Sequence, residues 1–255
     1  MAGQHPHRAG HGFADVNGPL LAVRFLTRLP LPHSVPDEGD FARAFPWFPL
    51  AGLPVGLCLV AAFFVGSMVD PWVAACVGLA SWIFFTGALH LDGLGDIADA
   101  AGASHADKSR LSQVLADPHI GSFGVVAIVQ QCLAKLVLLH ALAAPGVTLS
   151  APALILVPMI ARTAPLGWAL VLPPLHKGLG TLFGAAVRWR DIAAWAALLL
   201  SASVLVAPAL LIAPVVAWGW GLWLRRRLGG ISGDGHGAGI ELVETALLLA
   251  LVLAR

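Results

Sequence analysis

Long apolar runs constrain the fold of this chain more than any other feature of its sequence. About 20 apolar residues are needed for a helix to cross the roughly 30 Å hydrocarbon layer of a bilayer. Charged residues make up only 11% of the sequence, against about 25% in an ordinary soluble domain. The runs therefore predict an all-α, polytopic membrane bundle. They cover residues 46–69, 72–91, 120–143, 151–172, 192–224 and 242–254.

The boundaries of the runs predict about six to seven transmembrane helices. Pro208 and Pro214 are expected to divide the long run 192–224 into two helices. The run 242–254 is short, and we expect its helix to begin earlier, in the glycine-rich segment before it. Residues 17–31 mix apolar positions with arginines, a pattern typical of an interfacial helix. We interpret residues 1–16 as a flexible tail and residues 17–255 as one membrane-embedded domain.

The distribution of basic residues predicts the topology. Lys135 and Arg162 lie within apolar runs and Arg255 ends the chain, so 12 of the 15 Lys and Arg remain for the loops and the N-terminal segment. With the N-terminus inside, all 12 fall on the inner side, as the positive-inside rule expects. The outer turns are then expected at residues 70–71 and 144–150 and near Pro208.

The same topology places two acidic segments, residues 92–119 and 225–244, on one face of the membrane. We therefore expect a protein of the plasma (inner) membrane whose active-site loops face the cytoplasm. The net charge of +1 gives no electrostatic basis for nucleic-acid binding.

The densest polar signal is the segment His90-Leu-Asp92-Gly-Leu-Gly-Asp96-Ile-Ala-Asp99. Its three carboxylates are spaced i, i+4 and i+7, which places them on one face of a helix. Like charges so arranged repel one another and favour a bound cation. Mg²⁺ prefers oxygen ligands and commonly bridges carboxylates and substrate phosphates. Gly93 and Gly95 are expected to let a phosphorylated ligand approach the backbone. The alternative is a solvated acidic helix end.

A second acidic segment surrounds Asp234, which lies between Gly233 and Gly235 just before an apolar helix. Glycine-rich backbone at a helix N-terminus presents amide groups that bind phosphate. Glu241 and Glu244 follow one turn apart on the same helix. Attraction to the helix dipole alone also accounts for acidic residues near a helix start.

Further candidates lie between and within the apolar runs. Asp117 is expected either to cap the helix that follows it or to join the metal ligands, with Lys108 and Arg110 shortly before it. Lys135 and Arg162 are costly inside a membrane unless they are paired or face a polar cavity. They are expected either to contact the substrate or to form interhelical ion pairs with the aspartates.

In combination these segments resemble the cobalamin synthase family, the adenosylcobinamide-GDP ribazoletransferases. The resemblance runs in order from about residue 20 to the end of the chain. The sequence departs from the family pattern at Gly95, at Ala100 and at Ala116-Asp-Pro-His119, where the family has Arg-Asp-Ser-Arg. The segments that carry the resemblance are Phe25-Leu-Thr-Arg28-Leu-Pro-Leu-Pro32, Phe48-Pro-Leu50, His90 to Asp99, Asp117 to Gly124, the region of Arg162, and Leu228 to Glu244.

The resemblance implies a Mg²⁺-dependent transfer that completes vitamin B12. In it, a hydroxyl of α-ribazole or α-ribazole 5′-phosphate attacks the cobinamide-side phosphorus of adenosylcobinamide-GDP and expels GMP. Residues 17–255 would then be the transferase domain, and Glu241 or His90 the general base. The expected metal ligands are Asp92, Asp96, Asp99, Asp117 and Asp234. The expected substrate contacts are Lys108, Arg110, Arg162, Gly233, Gly235 and Glu244.

Two other classes of protein also fit parts of the pattern. One is another membrane transferase that acts on a diphosphate-linked substrate, such as a CDP-alcohol phosphotransferase or a prenyl-diphosphate enzyme. The other is a transporter, in which Lys135 and Arg162 would bind substrate anions or relay protons. The partners expected are the two substrates and the lipid bilayer, and self-association remains open.

Overall fold

Helices make up almost all of the structure, as the apolar runs predict. The computed structural model describes residues 18–31, 38–103, 119–143, 150–175 and 184–254. No β-strand forms within these ranges, apart from one isolated bridge between Pro174 and Ile231. The principal helices are α1 (Gly18–Leu26), α2 (Glu38–Ala44), α3 (Phe48–Ser67), α4 (Pro71–Thr86), α5 (Leu89–Ala103), α6 (Ser122–Ala143), α7 (Ser150–Ala161), α8 (Ala164–Val171), α9 (Trp189–Val206), α10 (Ala213–Arg227) and α11 (Gly233–Leu253).

The predicted membrane spans are confirmed. Among the described residues, six helical segments are long and apolar enough to cross a bilayer, and a seventh crossing results if α4 and α5 are counted as one bent span. The chain is therefore an all-α polytopic membrane protein. The six segments are Gly39–Ser67, Ser122–Ala143, Ala151–Val171, Trp189–Val206, Pro208–Arg227 and Gly233–Leu253.

The run 72–91 is not one continuous helix, and this part of the prediction is wrong. Helices α4 and α5 meet at an angle of 85°. Gly87 and Ala88 form the corner, with φ angles of 61° and 59°. Glycine tolerates this left-handed conformation, whereas alanine adopts it only when the surrounding structure holds it there. Part of that support comes from Arg28, whose amide donates to the carbonyl of Phe85 at 2.8 Å.

Two other features of the helix boundaries are as predicted. The run 192–224 is divided into α9 and α10 by a 3₁₀ turn at Pro208–Ile212. The last span begins within the glycine-rich segment, at Gly233. Both results follow from local chemistry, because proline lacks an amide donor and the apolar runs set the lengths of the helices.

Close packing around α11 forms the centre of the bundle. Helix α11 contacts α5, α6, α7, α8 and α10. Beside it, α3 packs against α7 through Gly52 and Gly56. A Cβ atom added at Gly52 would lie 2.5 Å from the Met159 Cα, and one added at Gly56 would lie 2.7 Å from the Ile155 Cα. Such contacts between small residues are typical of helix packing in membranes.

Candidate active site

The two acidic segments meet where α5 packs against the start of α11. A Cβ atom added at Gly93 would lie 2.9 Å from both the Cα and the carbonyl oxygen of Asp234. The segment before α11 is held by Ile231, whose amide donates to the carbonyl of Pro173 and whose carbonyl accepts from the amide of Leu175, each at 2.9 Å. This packing places Asp234 beside the acidic face of α5, as the topology predicts.

Several carboxylates at this junction repel one another. Asp92 is exposed, while Asp96 and Asp234 are partly buried. Helix α5 is not among the six spans, and on it partial burial raises the pKa of Asp96 to about 6. The negative charges of Asp234, Asp92 and Asp99 contribute to this increase. A cation between these side chains would favour the ionised form of Asp96.

The chemistry of these ligands fits Mg²⁺, although they do not form a ready-made cage. Among the described residues, no three His, Cys, Asp or Glu side chains are grouped closely enough to hold a metal ion. Mg²⁺ is usually held by one or two carboxylates together with waters and substrate phosphates. Asp92, Asp96 and Asp234 supply carboxylate oxygen atoms suited to Mg²⁺. The Mg²⁺ assignment stays a prediction.

Asp99 has a well-defined structural role. Its Oδ2 accepts a hydrogen bond from the Gly121 amide at 2.7 Å, and its Oδ1 accepts one from the Gly124 amide at 2.9 Å. These are amides of the first turn of α6, so Asp99 caps that helix from another part of the chain. The cap predicted for Asp117 falls outside the described residues, as do Lys108 and Arg110.

The glycines of α5 are used for helix packing. Gly93 faces the backbone of Asp234, and a Cβ atom added at Gly95 would lie 3.0 Å from the Ile128 Cδ1. The prediction that these two glycines leave space for a phosphorylated ligand is therefore wrong.

The two glycines beside Asp234 have different environments. Gly233 is exposed, and no described atom lies within 4 Å of a Cβ added there. The amide of Gly235 donates to the Ser232 Oγ at 3.1 Å, and its carbonyl accepts from the Trp220 Nε1 at 2.9 Å. Of the two predicted substrate contacts, Gly233 is therefore the accessible one.

A buried ion network lies about two helical turns further along α11. The Lys135 Nζ is 2.6 Å from Oε2 of Glu241 and 2.6 Å from Oε2 of Glu244. The Arg162 Nη1 is 2.8 Å from Oε1 of Glu244, and both of these side chains are 0% exposed. Two cations thus face two anions in the core. The predicted pairing of Lys135 and Arg162 with aspartates is wrong, because their partners are glutamates.

The network also contains a residue that the sequence analysis missed. The Gln131 Nε2 donates to the Glu241 Oε2 at 2.8 Å and to the Thr245 Oγ1 at 2.7 Å. The Lys135 Nζ lies 4.4 Å from the centroid of the Trp82 ring, within cation–π distance. The signal was present in the sequence, since Gln131 is a polar residue within a predicted span and stands one turn before Lys135.

His90 adds a side chain of α5 to the buried network. It is buried, and its Nδ1 lies 3.4 Å from the Arg162 Nη2. A guanidinium group only donates hydrogen bonds, so Nδ1 accepts and the proton of the neutral imidazole is on Nε2. That Nε2 has no hydrogen-bond partner among the described residues. His90 is therefore a buried N–H donor on the same helix as Asp92, Asp96 and Asp99.

Comparison with known proteins identifies the family. The family model described as cobalamin-5-phosphate synthase matches residues 18–252. The chain belongs to this family. The match includes α5, α11 and both acidic segments, and it confirms the resemblance found in the sequence.

The curated relatives share one name, and their similarity to this chain covers nearly their whole length. Adenosylcobinamide-GDP ribazoletransferase of Novosphingobium aromaticivorans is 51% identical over 242 residues, which cover 93% of this chain and 97% of the relative. The enzyme of the same name from Thiobacillus denitrificans is 47% identical, with coverage of 94% and 98%. That of Brevibacillus brevis is 31% identical, with coverage of 93% and 98%. No solved structure matches the chain.

Within this family, the site residues fall into two groups in the structure. Asp92, Asp96 and Asp234 meet at the junction of α5 and α11, whereas Glu241 and Glu244 lie in the buried network. The predicted role of Glu241 as general base and that of Glu244 as substrate contact stay predictions. The contacts of the two glutamates are those of structural residues.

Proposed function

We propose that this protein is an adenosylcobinamide-GDP ribazoletransferase. A ribose hydroxyl of α-ribazole, or of its 5′-phosphate, forms a bond to the cobinamide-side phosphorus of adenosylcobinamide-GDP. The bond from that phosphorus to the bridging oxygen breaks, GMP leaves, and adenosylcobalamin or its 5′-phosphate forms. The observation that carries the proposal is the carboxylate cluster at the junction of α5 and α11 in a chain that matches this family along almost its whole length.

The cluster is proposed to hold Mg²⁺ through Asp92, Asp96 and Asp234, with Asp99 and Asp117 as further candidates. When bound, Mg²⁺ would neutralise the charge on the diphosphate. The raised pKa of Asp96 supports this assignment, since it reflects burial and the nearby negative charges of Asp234, Asp92 and Asp99. Adenosylcobinamide-GDP carries a diphosphate, and in many transferases substrate phosphates complete the ligands of Mg²⁺.

The contacts of the remaining side chains favour a division of roles that differs from the sequence-based expectation. Glu241 is paired with Lys135 and Gln131, and the His90 Nδ1 accepts from Arg162, so neither is arranged to take a proton. We propose that the exposed Asp92 carboxylate accepts the hydroxyl proton on the oxygen that does not bind Mg²⁺. His90 then donates its Nε2–H to an anionic oxygen of the substrate.

Arg162 and Glu244 are proposed as positioning residues. Glu244 fixes the guanidinium of Arg162, and Arg162 fixes the ring of His90 and its tautomer. Lys108 and Arg110 keep their proposed role as contacts for substrate phosphates. Gly233, exposed at the start of α11, is the proposed contact for an anionic group at the helix N-terminus.

The proposed location is the plasma (inner) membrane, with the carboxylate cluster on the cytoplasmic side. The distribution of basic residues supports this orientation, since α10 ends with Arg225, Arg226 and Arg227, a few residues before Asp234.

The test is to incubate detergent-purified protein with adenosylcobinamide-GDP and either α-ribazole or its 5′-phosphate. GMP and the corrinoid product are then measured with Mg²⁺ and with excess EDTA. We expect both products in equal amounts, in the presence of Mg²⁺ only. Folded protein that releases no GMP with either acceptor would overturn the proposed reaction. Full activity in EDTA would overturn the metal assignment alone.

A further inference from the structure

An apolar groove lies between α8, α9 and α10, and none of Asp92, Asp96 and Asp234 lines it. Its volume is about 500 Å³. On α9 its walls include Ile192, Ala196 and Leu199, and on α10 they include Ala217 and Gly221. Helix α9 is one of the least buried spans, with 11% of its apolar window inside the bundle. The groove therefore lies in a part of the bundle that is loosely covered by the protein itself.

The length of the groove corresponds to one leaflet of a bilayer. The lining residues of α10 run from Ala213 to Arg225. At a rise of 1.5 Å per residue, this stretch is about 18 Å long. Half of the hydrocarbon layer is about 15 Å thick. An occupant of the whole groove is therefore elongated and extends from the membrane surface to about the midplane.

One end of the groove is cationic, while the rest is apolar. Arg225 is the one charged side chain among the described residues that line it, and no ion pair joins it to a carboxylate in the described part of the chain. Trp189, at the start of α9, lines the same groove, and tryptophan is enriched at membrane interfaces. Along the wall, the Trp168 Nε1 donates to the carbonyl of Ala217 at 2.8 Å, so this indole presents no free donor.

We propose that this groove binds one acyl chain of an anionic phospholipid, with the lipid phosphate on Arg225. The apolar walls would bury the acyl chain, which is about as long as one leaflet is thick. The guanidinium of Arg225 would pair with the lipid phosphate. Arginine forms planar, charge-assisted hydrogen bonds with phosphate groups. This site is distinct from the proposed transferase site and does not depend on its chemistry.

Lipid binding can be measured by native mass spectrometry of the delipidated full chain in detergent. Phosphatidylglycerol and phosphatidylcholine with identical acyl chains are added in parallel titrations. We expect one tightly bound phosphatidylglycerol and weaker binding of phosphatidylcholine. Arg225→Gln is expected to weaken the binding of phosphatidylglycerol about tenfold, since it removes charge-assisted hydrogen bonds to the lipid phosphate. The matched control is Arg226→Gln, because Arg226 neighbours Arg225 but does not line the groove.

A second pair of variants tests the apolar part of the groove. Ala196→Trp fills the space between α9 and α10, whereas Ala197→Trp adds the same side chain at an exposed position outside the groove. We expect Ala196→Trp to lose the tight lipid and Ala197→Trp to retain it. Where Ala196→Trp does not fold, the arginine pair decides the test alone.

Three results would overturn the proposal. The first is equal binding of phosphatidylglycerol by Arg225→Gln and Arg226→Gln. The second is displacement of phosphatidylglycerol by adenosylcobinamide-GDP, which would make the groove part of the substrate site. The third is displacement by inorganic phosphate with the same affinity as the lipid, which would show that the acyl chain contributes nothing.

Discussion

The carboxylate cluster and the buried ion network both include acidic side chains of α11, but these side chains have different neighbours. At the junction, partial burial raises the pKa of Asp96, and repulsion from Asp234, Asp92 and Asp99 adds to the increase. In the network, Glu241 and Glu244 are matched by two cations in direct contact. Acidic residues about two turns apart on α11 thus belong to different kinds of site.

This comparison indicates that the neighbours of a carboxylate in the structure, more than its spacing in the sequence, determine its role. A buried carboxylate that is paired with a cation contributes to the native fold, and the loss of one partner leaves an uncompensated charge. A carboxylate beside other carboxylates at an accessible junction is costly for the fold, and this cost is the reason to propose a ligand there. Variants of the two groups should therefore fail in different ways.

Glu244→Gln should have the largest effect on stability. It leaves Arg162 without its ion-pair partner at a position that is 0% exposed, and it removes one of the two anions around Lys135. We expect a loss of about 3–5 kcal/mol in the free energy of unfolding. Thermal unfolding in detergent measures the change.

Asp234→Asn is the matched control for Glu244→Gln on the same helix. It should change the free energy of unfolding by less than about 1 kcal/mol, as is usual for substitutions outside the core. Equal losses of stability in the two variants would erase the distinction between the cluster and the network.

Asp96→Asn should show the opposite pattern. We expect kcat/KM for GMP release to fall about 100-fold, equivalent to about 2.7 kcal/mol of transition-state stabilisation. The unfolding midpoint should stay unchanged or rise, because the substitution removes a carboxylate that its neighbours repel. Activity is measured across a Mg²⁺ titration, with circular dichroism as a check on folding. Wild-type activity of Asp96→Asn at limiting Mg²⁺ would contradict its role as a ligand.

The sequence predicted the helices well because their signals are local. Apolar runs set the spans, and Pro208 and Pro214 divided α9 from α10 as expected. The corner at Gly87 and Ala88 was not predictable in this way. A left-handed φ at an alanine depends on tertiary contacts, including those of Arg28, which lies far from it in the sequence.

The site was predicted in outline for a related reason. The spacing of Asp92, Asp96 and Asp99 identified one helix face, and the topology brought Asp234 to it. The partner of Glu244 was not predictable, because Lys135 and Arg162 reach it from two other helices. Asp99 likewise shares the spacing of its neighbours, but its oxygens are directed to α6. Periodicity reports which residues share a face and leaves open what they contact.

Gly93→Ala tests whether the junction depends on close backbone contact. The added methyl group would lie 2.9 Å from the Asp234 Cα, so α5 and α11 must move apart. We expect a loss of about 1–3 kcal/mol in stability, as for other overpacked positions, together with lower activity. Gly233→Ala provides the comparison for stability, since no described atom lies within 4 Å of its added Cβ. A Gly93→Ala protein as stable and active as wild type would show that the junction tolerates separation.

Asp99→Ala should have only a small effect on stability, and it distinguishes a helix cap from a metal ligand. Loss of the hydrogen bonds to the Gly121 and Gly124 amides should cost about 1 kcal/mol, typical of a helix cap. Hydrogen exchange at these two amides should accelerate in the absence of Mg²⁺ and substrates. Asp70→Ala removes the cap of α4, where the Asp70 Oδ1 accepts from the Trp72 amide at 2.7 Å. It should cost a similar amount of stability while leaving GMP release unchanged, because it lies at the far end of α4 from the junction. If Asp99→Ala reduces Mg²⁺ affinity as strongly as Asp96→Asn without altering exchange at Gly121 and Gly124, Asp99 is a metal ligand and not a cap of α6.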